Sequence, residues 1–295
     1  DLGAVSMSLF FLISADWDAK AADPASMLEH GRKGLKLVRQ CGYRRMENVA
    51  ILTTATSLWA LGAVTEAEQM FQELLLSDIE AGIVSSYRPF ILAWLLADRG
   101  DTGEARVMAT RLVTSGHARG LPLDEGRGRW VLAEVLRRAG EHEAAEREIE
   151  AALPLLGATV PLDVPGALAT KAALKLAQGR PGEALAAAEE GMSRQAAMKM
   201  HDHFFRSSFL RLVHSESLLA NGRHAEARAA LANARDRLLA TAAKIIEAAH
   251  QKSFLENVPE NRRTLDLARE WLGEGGEAEP RSQGTHAPAS PTAEG

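Results

Sequence analysis

Two histidine clusters and a single cysteine are the residues whose types and spacing come nearest to chemistry. His142-Glu143-Ala144-Ala145-Glu146 approaches the helical zinc-hydrolase pattern, in which histidines four residues apart hold the metal and the glutamate between them acts as base. Here the position four after His142 is Glu146, so one ligand is missing. Glu143 and Glu146 read instead as a solvated face in the first turn of a helix. His201-Asp202-His203 sets two imidazoles at alternate positions, with His214 further on, but no third ligand follows at convincing spacing. A loop cap or helix start is the better reading. Cys41 is the only cysteine, which excludes an intramolecular disulfide and a cysteine-rich metal site. At a helix end it reads as a packed thiol rather than a nucleophile. Gly126-Arg127-Gly128 is a lone glycine pair before a helix and reads as loop. The chain has no Gly-x4-Gly-Lys-Ser/Thr phosphate loop, no glycine-rich dinucleotide turn and no kinase motif. The expectation is therefore no catalytic residue, no metal and no cofactor. A metal-dependent hydrolase at His142 and His201 stands as the alternative from a different class.

The elements that would carry these residues follow from composition. Of 295 residues 46% are hydrophobic and 25% charged, which excludes a collagen, a disulfide scaffold and a wholly disordered chain. Alanine and leucine fill 91 positions, while valine and isoleucine reach 21 and aromatics 5%. Ala and Leu lead the helix scale, whereas a β-rich chain needs more β-branched and aromatic residues. The fold class is all-α. A net charge of −5 argues against a nucleic-acid surface, which normally needs a basic excess. The longest apolar run, Leu2 to Ile13, is too short to span a bilayer and lacks the basic start of a signal peptide. No membrane partner is expected, and a reducing cytoplasm is the expected location. The opening Asp-Leu-Gly reads as part of something longer.

A repeat organises the chain. Gly62, Gly100, Gly140, Gly179 and Gly222 stand 38, 40, 39 and 43 residues apart. Each is followed five positions later by alanine: Ala67, Ala105, Ala145, Ala184 and Ala227. Seven positions before each glycine comes Ala55, Ala93, Ala133, Ala172 or Ser215, and four before it Leu58, Leu96, Leu136, Lys175 or Leu218. Glycine after an apolar periodic run ends a helix by accepting the left-handed conformation. Glu66, Glu104, Glu143 and Glu183 then favour a new helix start. Small residues on both sides of the turn let two antiparallel helices approach closely. Nine past each glycine, Phe71, Ala109, Ile149, Ala188 or Leu231 faces inward on the second helix. The unit is a helical hairpin of roughly forty residues.

These residues resemble the tetratricopeptide repeat, with Leu58-Trp59-Ala60-Leu61-Gly62 running to Ala67 and Phe71 as the fullest copy. Repeats of 38 to 43 exceed that family's usual 34, and the closing proline is mostly missing. The resemblance covers residues 25–240 and implies a right-handed α-solenoid that binds protein or peptide partners. A second, shorter resemblance lies in Phe254-Leu255-Glu256-Asn257-Val258-Pro259-Glu260-Asn261-Arg262. It looks like the closing segment of large bacterial signalling ATPases, and of serine/threonine kinases and nucleotide cyclases fused to such repeats. That implies a sensory or docking region with catalytic domains elsewhere in a parent chain. A free-standing adaptor is the alternative.

The register predicts hairpins at 46–60 with 64–76, 83–98 with 102–115, 126–139 with 142–153, 166–177 with 181–197, and 204–220 with 223–240. The domain reading is a partial repeat over 1–45, with helices at 4–14 and 25–41, five hairpins over 46–240 and capping helices over 241–272. Asn257 can cap a last helix at 259–272, and a disordered tail follows over 273–295. First helices line the inner face of such an array. The expected partner surface is therefore concave, formed by Tyr87, Phe90, Trp94, Arg127, Trp130, Glu134 and Arg137, with Trp59 and Glu216 facing the same way. Tryptophan and arginine are enriched at binding hot spots. Arginines at 127, 129, 137 and 138 would suit an acidic or amphipathic peptide. The competing reading makes the tryptophans filler between helices.

Overall fold

The computed structural model describes residues 24–42, 44–81, 87–198 and 206–273. The expected helix at 4–14, the cluster His201-Asp202-His203 and the tail beyond 273 lie outside the described residues, as do the side chains of Cys41 and Tyr87. Among the described residues every regular element is helical. The helices are α1 (Pro24–Cys41), α2 (Arg44–Ala60), α3 (Val64–Ala81), α4 (Tyr87–Arg99), α5 (Thr102–Ala118), α6 (Pro122–Arg138) and α7 (His142–Thr159). A short 3₁₀ turn at Pro161–Asp163 leads into α8 (Val164–Ala177) and α9 (Pro181–Ala197). Then come α10 (Ser207–Ala220), α11 (His224–Ala242), α12 (Ala248–Glu256) and α13 (Pro259–Leu272).

Each hairpin closes the same way. Gly62 donates to the Trp59 carbonyl at 2.8 Å, and Ala63 reaches back to the Leu58 carbonyl at 2.9 Å. The same pair of bonds recurs at Gly100, Gly140, Gly179 and Gly222. This is the Schellman arrangement, with the glycine in the left-handed region, φ 73° at Gly62. Just beyond the turn Ala67, Ala105, Ala145, Ala184 and Ala227 are wholly buried, as are Ala55, Ala93, Ala133, Ala172 and Ser215 before it. The helices touch there at backbone distance, which is why the register carries small residues. First helices stack in series, α2 on α4, α4 on α6, α6 on α8, α8 on α10 and α10 on α13. The solenoid is all-α and built of tetratricopeptide-like repeats.

Three expectations within the repeats need correction. Gly126 and Gly128 stand inside α6 rather than in a loop. A Cβ on Gly128 would come within 2.8 Å of Leu112 Cβ and of the Val113 nitrogen. The glycine pair therefore serves close packing of α6 on α5. Helix α7 continues through Pro154 to Thr159 instead of stopping at 153. Lys175, the one departure from leucine in the register, is buried and paired with Glu146, which also accepts from Gln178 and Arg180. The hydrogen bond from Lys175, with those from Gln178 and Arg180, holds the Glu146 carboxyl down at about 2. Glu146 is thus a tie between two repeats, not part of a solvated face.

The closing segment does more than cover the last groove. Leu267 and Ala268 of α13 pack with Leu212 and Leu231. Helix α12 instead crosses to the first hairpin, with Phe254 and Ile245 joining the core that holds Leu28 and Phe71. Asn257 does not cap α13. Its Nδ2 donates to the Gly62 carbonyl at 3.3 Å, 195 residues away. Arg32 donates to Glu247 at 2.7 Å, and His250 lies between Glu247 and Glu66.

Gly128→Ala should lower stability by about 1–3 kcal/mol, because the added methyl overpacks the α5–α6 contact. Gly157→Ala, where a Cβ meets nothing within 4 Å, should raise it by about 0.5–1 kcal/mol through helix propensity. Urea unfolding midpoints of the two variants check both signs.

Candidate functional site: the face of the first helices

Of the residues named above, Phe90 and Trp94 lie on α4, Arg127, Trp130, Glu134 and Arg137 on α6, Glu216 on α10 and Trp59 on α2. Trp94 and Trp130 meet edge to face at 5.4 Å between ring centroids, and Phe90 lies 5.7 Å from Trp130. Such tilted pairs suit the ring quadrupoles. Trp130 Nε1 donates to Thr170 Oγ1 of α8 at 3.1 Å. The three rings are almost entirely buried, 2% exposed at Phe90 and 0% at the tryptophans. The array thus brings the expected aromatics together, as a buried layer rather than an open patch. Four-residue spacing on α4 and neighbouring first helices put them in one row, and the closeness of the helices leaves no gap above them.

The arginines are taken up by carboxylates. Arg127 stacks on Phe90 at 5.1 Å and donates to Asp163 at 2.7 Å. Arg129 binds Glu125 and Glu148. Glu134 is wholly buried and accepts from Arg137 at 2.9 and 2.7 Å and from Arg138 at 2.7 Å. The spacings of three and four residues place all three side chains on one stripe of α6. Arg138 also donates to the Ala97 carbonyl and to Asp98, each at 2.7 Å, tying α6 to α4. These pairings correct the expectation of a basic edge, since the positive charges are already neutralised by neighbours on the chain. Burial pushes the Glu134 carboxyl up, but Arg137 and Arg138, with Arg206 behind them, hold it well below the usual carboxylate range. Glu216 behaves oppositely: burial raises it, against the pull of Arg263 at 3.2 Å and of Arg137.

Sequence reasoning missed Arg206. It precedes α10 with φ 65° and is buried. Its guanidinium lies 4.5 Å from the Trp94 ring centroid and 4.7 Å from that of Phe209. Asp98, Glu260 and Glu134 approach it at 3.5, 3.7 and 4.0 Å. It therefore joins α4, α6 and α13, the last through the glutamate of the Asn-Val-Pro-Glu-Asn segment. Only the unusual wording of that segment hinted at such a role. Among the described residues no group of three His, Cys, Asp or Glu side chains is placed to hold a metal. No described helix is long and apolar enough to cross a membrane.

A tetratricopeptide repeat family model matches residues 90–111, 126–151, 165–190 and 209–233, which fall in the second to fifth hairpins. Residues 58–71, the fullest copy by eye, lie outside those ranges although they fold as the same unit. Among solved structures the chain is similar to a Rap protein complexed with competence and sporulation factor. The TM-score is 0.61 at 15% identity, over 89% of this chain and 75% of that one. It is also similar to BtubC from P. vanneervenii, with a TM-score of 0.50 at 13% identity over 91% and 99% of the two chains. At such identities the likeness is one of fold. No curated protein matches by sequence.

Below pH about 4.3 the unfolded chain takes up a proton at Glu134 that the folded chain resists, so this group's contribution to stability is lost as pH falls. Glu134→Gln should flatten the decline of urea midpoints between about pH 5 and about pH 3. At neutral pH it should cost about 3–5 kcal/mol, because the half-buried Arg137 and Arg138 lose the carboxylate they share. Trp94→Ala should cost a similar ~3–5 kcal/mol through the cavity it leaves, read as a lowered melting temperature.

Proposed function

We propose that this chain is a non-catalytic protein-interaction and sensory module whose protein or peptide partner docks on the concave face of the first helices. Its place would be the C-terminal repeat region of a multidomain bacterial signalling protein, an ATPase or a serine/threonine kinase, in the cytoplasm. The observation that carries this reading is where the costly groups sit. An alanine–leucine solenoid can be held together by apolar packing alone, yet α4, α6 and α10 gather tryptophans, arginines and carboxylates on one face. Buried ion pairs are weak evidence for stability, since apolar side chains of equal volume often do as well. Their concentration where repeat arrays receive partners supports a recognition role. The fold shared with a Rap protein in complex with its factor is consistent with it. Tyr87, Phe90, Trp94, Arg127, Trp130, Glu134 and Arg137 are the proposed binding residues, with the rings reached when the face loosens. A free-standing adaptor is the second reading, favoured by the same fold. Reading the coding sequence upstream of Asp1 separates the two, a kinase or ATPase domain being the expected finding.

Docking is tested with peptides selected from a random display library against the purified chain. Bound peptide should slow amide hydrogen exchange in α4, α6, α8 and α10, with dissociation constants of about 1 µM, or roughly 8 kcal/mol. Protection confined to α5, α7, α9 and α11 would put the partner on the outer face and refute the reading.

A further inference from the structure

Arg206 is the only described residue other than glycine with a positive φ, a region that crowds the Cβ of any L side chain. Strain of this kind persists where surrounding structure imposes it, and it points to function. The guanidinium is 4% exposed, yet its three carboxylates stand at 3.5–4.0 Å and its Nε has no hydrogen-bond partner. A buried ion pair draws most of its worth from short, direct hydrogen bonds, and Arg206 lacks them. Its backbone is strained and its carboxylate contacts are long, so it is held by its surroundings without short hydrogen bonds.

Those surroundings, by contrast, suit a guanidinium well. Trp94 and Phe209 offer two aromatic faces for cation–π contact. Asp98, Glu134 and Glu260 ring them, where a planar donor fork can bind in bidentate fashion. Asp98 and Glu134 are already balanced by Arg138 and Arg137, whereas Glu260 has Arg206 as its ion partner. One positive charge is therefore called for. Arg206 stands at the N-terminal boundary of α10, so it can withdraw without unwinding the helix.

We propose that Trp94, Phe209, Asp98, Glu134 and Glu260 form an arginine-recognition subsite, that Arg206 is its internal occupant, and that the partner is a basic peptide whose arginine takes its place. This rests on the concave face being the docking surface, and it gives that partner a charge. Exchanging one guanidinium for another keeps the buried charge balanced.

Arg206→Ala empties the subsite. N-acetyl-arginine amide at millimolar concentration should raise the melting temperature of Arg206→Ala saturably, by several degrees. N-acetyl-citrulline amide, of the same shape but uncharged, should leave it unchanged, and the wild-type chain should respond far less to either. If Arg206→Ala is recovered only unfolded, the probes are added during refolding. Return of the helical circular dichroism signal with arginine amide and not with citrulline amide supports the subsite. Equal effects of the two probes, or none in the variant, overturn it. The two readings fail separately: library peptides that protect the first helices without arginine enrichment, together with absent rescue, reject the subsite and leave docking standing. Arginine-specific rescue without any such peptide leaves the subsite and rejects the docking surface.

Discussion

The close approach of paired helices at alanine and glycine is the constraint on which the rest of the molecule depends. Where Ala133 on α6 and Ala145 on α7 are both wholly buried, only small side chains fit. Each contact gains little dispersion energy alone, but at near-crystalline packing density many such contacts add up. The constraint also decides where bulk can go. Large rings are excluded from the alanine contacts beside each turn, and Phe90, Trp94 and Trp130 form one layer between successive first helices. Gly116 and Gly128 extend the same logic, letting α6 settle on α5 at backbone distance, and Gly126 makes room for the side chains of Leu155 and Leu156 on α7.

The ionic groups beside that layer follow from its geometry. Arg138 reaches the Ala97 carbonyl and Asp98 because α4 and α6 lie close enough for one side chain to span them. A carboxylate as deeply buried as Glu134 is tolerable only with its charge met by direct hydrogen bonds, which Arg137 and Arg138 supply. Lys175 repeats the solution two helices on, its ammonium met by Glu146 across the α7–α8 contact. Lys175 stands where the register otherwise carries leucine, and both ion clusters link two repeats that packing alone would join less specifically.

The array is also closed on itself. In an open solenoid each repeat touches only its neighbours, but here α12 brings Asn257 to Gly62 and Glu247 to Arg32, 195 and 215 residues apart. The exposed pairs of this seam contribute little, as surface ion pairs generally do. The burial of Ile245 and Phe254 in the shared core holds it. Gly62 serves twice: it turns the first hairpin, and its missing Cβ leaves room for the Ser253 carbonyl, which a side chain there would meet at 2.5 Å. Helix α12 is nine residues long and buries His250 and Phe254.

The sequence by itself determined the class of fold and the residues at the hairpin turns. Those properties are local: a glycine every forty residues, alanines at fixed offsets and apolar periods of 3.6 act within one hairpin. It also placed Phe90, Trp94 and Trp130 on the first helices of neighbouring hairpins, because the register fixes helix direction. Burial of those rings, neutralisation of Arg127, Arg137 and Arg138, and the reach of Arg206 to Asp98, Glu134 and Glu260 were decided only by the tertiary structure. Each depends on how far neighbouring repeats rotate and how closely they stack. That is a sum of small angles over the array, with no marker at any single position. For the same reason Asn257, read locally as a helix cap, became a bond to the first hairpin once the superhelix brought its ends together.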